Sequence, residues 1–159
     1  MICSIRSALS FLRMTPLPAA FAMMSIAGGT LVVQGAVVSA HNAWAREMPA
    51  GRNVTAVYLT LENTGAVTRL VVSGTTNVAD TLELHEMKSA GTTMAMSPVK
   101  SIAIPAHAKV ELKPGGLHLM LFGVKKPLAA GDTVKLTLTL DDGSRIAVAA
   151  EVRKPQGMQ

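Results

Sequence analysis

The chain has 159 residues, 49% of them apolar, and its 15 Lys and Arg against 10 Asp and Glu give a formal charge of +5. That length holds one ordinary domain plus a short extra segment. The basic residues are scattered, and one Trp, one Tyr and three Phe supply no row of stacking rings, so a nucleic-acid-binding stripe is excluded.

The N-terminus, "MICSIRSALSFLRMTPLPAAFAMMSIAGGTLVV", has a basic start, an apolar middle and small residues after it, the layout of a secretory signal peptide. Pro16, Pro18 and the Gly28–Gly29 pair argue against a stable membrane-spanning helix. The expected organisation is a signal segment over residues 1–35, one domain over 36–153 and a short disordered tail over 154–159. Removing Arg6 and Arg13 with the signal lowers the charge to +3. Cys3, the only cysteine, leaves as well, and it lies too early, ahead of the apolar run, to carry a lipid. Any soft metal site in the exported domain must then use methionine and histidine.

Along the remaining chain, alternating apolar residues and turn signals predict short strands throughout. The first is expected near 36–40, followed by a polar, turn-rich segment with Pro49 and Gly51. "VTAVYLTLEN" (54–63) ends in the turn "ENTG"; "TRLVVSG" (68–74) and "ADTLELHEM" (79–87) follow. "TTMAMSPV" (92–99) reads as a short extended piece stopped or edged by Pro98. "SIAIP", "AKVELKPGG", "GLHLMLFG", "DTVKLTLTLDDG" and "SRIAVAAEVR" complete the series, with a hairpin signal at "DDG" whose loop length stays open. Eight or nine strands at this spacing predict an all-β sandwich or Greek-key barrel.

Strand parity separates two faces in "GLHLMLFG": Leu117, Leu119 and Leu121 point one way, and His118, Met120 and Phe122 the other. "LELHEM" repeats the arrangement, with Leu82 and Leu84 opposite His85 and Met87. Met94 and Met96 share a face if "TMAM" is extended. Periodicity leaves two readings open, because methionine also fills cores that are poor in aromatics. If these residues are ligands, thioether and imidazole together favour Cu(I), with Ag(I) as its mimic, over Zn(II), Mg(II) or Ca(II). Glu83 and Glu86, which flank His85, read first as solvated strand polarity, with a contact to a ligand histidine as the alternative, and His41 and His107 read as surface residues. No nucleophile elbow, phosphate-binding glycine loop or paired-carboxylate arrangement points to an enzyme.

His85 and Met96 are separated by ten residues, Met96 and His118 by twenty-one, and Met120 follows after one more. This spacing resembles the metal motif of the periplasmic copper chaperone family PCu(A)C. "AWAREMPAG", "AVYLTLENTG", "VELKPGGLHLMLFGVKKPL" and "GDTVKLTLTLDDG" extend the likeness over roughly residues 40–153. The resemblance implies a cupredoxin-like fold and Cu(I) held by His85, Met96, His118 and Met120, with Met87 and Met94 as neighbouring donors or shielding residues. It further implies a periplasmic carrier that passes copper to an acceptor such as cytochrome c oxidase subunit II, beside a Sco-type thiol chaperone; a monomer is expected. The tail departs from Met- and His-rich members, having only Met158. The rival readings are a metal-free adhesion or assembly module, a copper tolerance or storage protein, and an oxidative copper enzyme; four histidines are few for the last.

Overall fold

The structure is a computed structural model that describes residues 37–91 and 93–154. The expected signal segment with Cys3, and the tail beyond Lys154 with Met158, lie outside the described residues. Ten strands make up the described part: β1 (Val38–Arg46), β2 (Val54–Asn63), β3 (Arg69–Thr76), β4 (Thr81–Ala90), β5 (Thr93–Pro98), β6 (Ile102–Ile104), β7 (Ala108–Leu112), β8 (Leu117–Phe122), β9 (Thr133–Leu140) and β10 (Arg145–Arg153). The all-β expectation holds, and among the described residues there is no helix, so none is long and apolar enough to cross a membrane.

The strands follow the order β5-β4-β8-β2-β1-β10-β9-β3-β6, with β7 also pairing β2. All the pairings are antiparallel except β1 with β10. β2 divides its length between partners: Val54–Val57 face β8, and Leu59–Asn63 face β7. The sheet curls so that β3 packs back against β4. Gly74 permits this approach, because a Cβ there would lie 2.7 Å from Leu82 Cδ2 and 3.0 Å from Leu138 Cδ2.

Apolar parity fills the interior. Val134, Leu136, Leu138 and Leu140 of β9 alternate with solvent-facing or half-buried residues, as do Ile146, Val148, Ala150 and Val152 of β10. The β9–β10 loop is Asp141–Gly143; Gly143 has φ 80°, the left-handed residue that closes a three-residue hairpin turn. Leu119 and Leu121 of β8 join Leu84 of β4 and Val57, Leu59 and Leu61 of β2 in the same core.

The first strand runs further than expected, through "AHNAWAR" to Arg46. Its register shifts between His41 and Trp44, and Asn42 lies at φ 52°, so a bulge absorbs the polar residues without ending the strand. Trp44–Arg46 then gain β10 as a second neighbour.

The turn after β2 depends on Asn63, which is 1% exposed. Its Nδ2 donates to the carbonyls of Val67 (2.8 Å) and Ile104 (3.0 Å), and its Oδ1 accepts the Gly65 N–H (3.0 Å). Asn63→Ala strands two carbonyls and one N–H, and should lower stability by about 3 kcal/mol. Urea denaturation checks this, and a loss below about 1 kcal/mol would show that water replaces the amide.

Candidate metal centre

Strand register assembles the histidines and methionines. In the β4–β8 pairing His85 stands directly opposite His118, and Glu83 opposite Met120. In the β4–β5 pairing Met87 stands opposite Met96, Ser89 opposite Met94, and His85 opposite Pro98. Directly opposed residues point to the same side of a sheet, so one face carries all of these residues in rows across the strands. The histidine row lies in the middle, Met120 one row to one side and Met96 one row to the other. The leucines of β4 and β8 face the core behind them.

The two imidazoles are buried, His85 at 8% and His118 at 3% exposure, with ring centres 6.0 Å apart. Imidazoles sharing one metal through a nitrogen each, at about 2 Å, have ring centres no more than about 6.4 Å apart. The observed separation is within that reach.

Backbone and carboxylate contacts orient both rings. The Nδ1–H of His118 donates to the Gly116 carbonyl at 2.9 Å, which leaves Nε2 as the ring nitrogen with a lone pair. The same carbonyl accepts the Met87 N–H at 3.1 Å, tying β4 to the turn before β8. His85 is held the other way round, with its Nε2–H donating to Glu83 Oε2 at 3.0 Å. Its Nδ1 is buried and is the one side-chain nitrogen or oxygen among the described residues that is buried without a hydrogen-bond partner. A buried acceptor left unpaired costs roughly 1–3 kcal/mol. Glu83, read first as solvated polarity with a contact to His85 as the alternative, therefore acts as the residue that orients His85.

A hollow of about 410 Å³ opens over this face, lined by Met87, Met94, Met96, His118 and Met120 together with Arg46 and Tyr58. Tyr58 packs between Trp44 (ring centres 4.5 Å) and His118 (6.3 Å), and Phe122 lies 5.9 Å from His85. Burial pushes the Tyr58 phenol above its ordinary pKa, with the Arg46 charge partly opposing this, so the hydroxyl stays neutral at physiological pH. Among the described residues no three His, Cys, Asp or Glu side chains group closely enough to hold a metal by themselves. A metal on this face has to recruit thioethers.

His41 and His107 are both exposed. His41 bonds to Ser39 (2.9 Å) and approaches Glu62 (3.4 Å), while His107 occupies a turn at φ 53°. Arg46 and Tyr58 escaped the sequence reading. Tyr58 shares the parity of Ala56, but that Ala56 stands opposite Met120 is visible only in the fold.

These strands and this His–Met face define a cupredoxin-like β-domain with a soft-donor surface. Residues 38–152 match the family model described as "Putative lipoprotein LpqE-like". A Leifsonia xyli protein named "Putative lipoprotein Lxx21020" is 39% identical over 121 residues, covering 76% of this chain and 72% of its own. Among solved structures, Cu(I)-DR1885 from Deinococcus radiodurans is 32% identical with a TM-score of 0.60, covering 80% of this chain and 85% of that one. The copper-bound PCuAC domain from PmoF2 shares the fold at TM-score 0.65 and 18% identity, covering 76% and 95%. The chain belongs to the LpqE-like family, the PCu(A)C family whose motif it carries.

The hydrogen bonds specify opposite tautomers for the two neutral rings. Long-range ¹⁵N–¹H spectra of the metal-free protein should show Nε2–H for His85 and Nδ1–H for His118. The same tautomer in both rings would contradict this assignment.

Proposed function

We propose that this chain is an exported metallochaperone that binds one Cu(I) through His85, His118, Met96 and Met120. The observation that carries the reading is the direct pairing of His85 with His118 across β4 and β8, flanked by a methionine row on either side. The lone pairs left by the two ring contacts assign His85 Nδ1 and His118 Nε2 as the coordinating nitrogens. Neutral imidazole and thioether donors suit a soft monovalent ion. Arg46 on the wall repels a divalent ion about twice as strongly as a monovalent one, which favours Cu(I) over Cu(II).

The Cu(I) bound by the related DR1885 agrees with this cargo. The lipoprotein naming of the family and of the Leifsonia protein supports export, in keeping with the signal-like N-terminus. The periplasm is the proposed compartment, and a copper-acceptor protein, with cytochrome c oxidase subunit II or a Sco-type thiol chaperone as the candidate, is the proposed partner.

Carriage requires retention without a trap. The two histidines are fixed and buried, whereas Met96 is 48% exposed on edge strand β5. Each thioether bond breaks without the protonation that a thiolate requires. An acceptor thus displaces the exposed sulfur first, while the imidazoles hold the ion in place. No bond is made or broken in the cargo apart from ligand exchange, so the proposed role is transport and not catalysis.

Anaerobic Cu(I) titration against a competing chelator tests the assignment. The wild type should bind one ion, and Met96→Ala and Met120→Ala should each weaken it about tenfold or more. Unchanged stoichiometry and affinity in both variants would defeat the ligand set.

A further inference from the structure

The four proposed ligands leave two methionines on the same face unused. Met87 stands directly opposite Met96, and Met94 lies two residues before Met96 on β5, opposite Ser89. All three line the hollow beside His118 and Met120. Rows on one face of a strand are about 6.7 Å apart, so Met94, two rows beyond the histidines, stands about 13 Å from them along the strand. It is too far out to share an ion with Met120, which lies on the opposite side of the histidine row.

Exposure falls along the same path. Met94 is 53% exposed and Met96 48%, Met87 is half-buried, and the histidines are buried. Every residue of β5 is exposed, and β5 forms an edge of the sheet. Keeping two large apolar side chains in water on an edge strand forgoes the burial that would make them useful as core filler. What they retain is an accessible sulfur.

We infer that Met87, Met94 and Met96 form a second, all-thioether position for a soft monovalent cation at the mouth of the hollow. The inference rests on the proposed Cu(I) site, because Met96 belongs to both positions. An ion arriving from solvent or from a donor is held first by three neutral sulfurs. It then exchanges Met87 and Met94 for His85, His118 and Met120 while Met96 stays bound, and unloading runs in reverse. The metal remains monovalent throughout, so no electron or proton moves. Sharing Met96 makes the two positions alternatives for one ion.

Ag(I) titration of protein carrying ¹³C-methyl-labelled methionine tests this. In the His118→Ala variant the inner position is crippled, and one equivalent of Ag(I) should shift the methyls of Met87, Met94 and Met96 more than that of Met120. Affinity should fall about tenfold or more below the wild type, and adding Met94→Leu should abolish the residual binding. A Met94 methyl that does not respond, or residual binding indifferent to Met94→Leu, would overturn the rim position. Because His118→Ala removes a buried ring and could unfold the domain, a second measurement uses the otherwise native chain with Met94→Leu, at a half-exposed site. Its Cu(I) transfer to bicinchoninate in stopped flow should be about fivefold slower or more, and a rate equal to that of the wild type also overturns the inference. In the wild type, a Met120 methyl unmoved by Ag(I) would instead defeat the inner site, whatever the rim shows.

Discussion

The register between β4 and β8 is the constraint from which the rest follows. Leu82 pairs Leu121 and Leu84 pairs Leu119 on the core side, which places His85 against His118 on the other. Side chains alternate with period two, so a slip of one residue would turn the histidines into the core and the leucines into the hollow. The penalty for exposing those leucines fixes the register, at roughly 1.5–3 kcal/mol for each buried leucine. Packing energy is in this way converted into imidazole placement, with no residue spent on that purpose alone.

Register places the rings, and their contacts aim them. Gly116 offers one carbonyl to both the His118 ring and the Met87 backbone, and Glu83 holds the opposite tautomer in His85. The result is a pair of lone pairs prepared in the folded chain, one of them on a nitrogen buried without a partner. That unpaired acceptor is a local cost, and a bound metal would relieve it. The thioethers differ from the histidines: Met94 and Met96 stand half in water on an edge strand, where ligand exchange is unobstructed. Rigid nitrogen behind and accessible sulfur in front is an arrangement suited to holding an ion and giving it up.

Much of this was legible in the chain because it depends on period-two patterning. The leucine and His–Met faces of "GLHLMLFG" and "LELHEM" were readable by parity, whereas the proline of "TMAMSP" left a strand stop or an edge open until pairing showed the edge. What parity could not supply was partnership. That β4 lies between β5 and β8, bringing His85 level with His118 and Met87 level with Met96, is a long-range pairing absent from local pattern. Glu83 looked like solvated polarity because its meaning depends on a ring two residues away turning toward it. The extension of β1 was hidden by the polar "HNA", which the bulge at Asn42 accommodates. Arg46 and Tyr58 were missed for a related reason, since they reach the hollow only when β2 pairs β8 and β1 follows beyond β2.

The central claim is a mixed nitrogen and sulfur shell around Cu(I), and X-ray absorption of the anaerobically loaded protein tests it most directly. The spectrum should show a Cu(I) edge with two imidazole nitrogens and two thioether sulfurs bound to the metal, and the sulfur scattering should be lost in the Met96→Ala/Met120→Ala double variant. A shell of nitrogen and oxygen alone in the wild type, or sulfur scattering undiminished in the double variant, would contradict it.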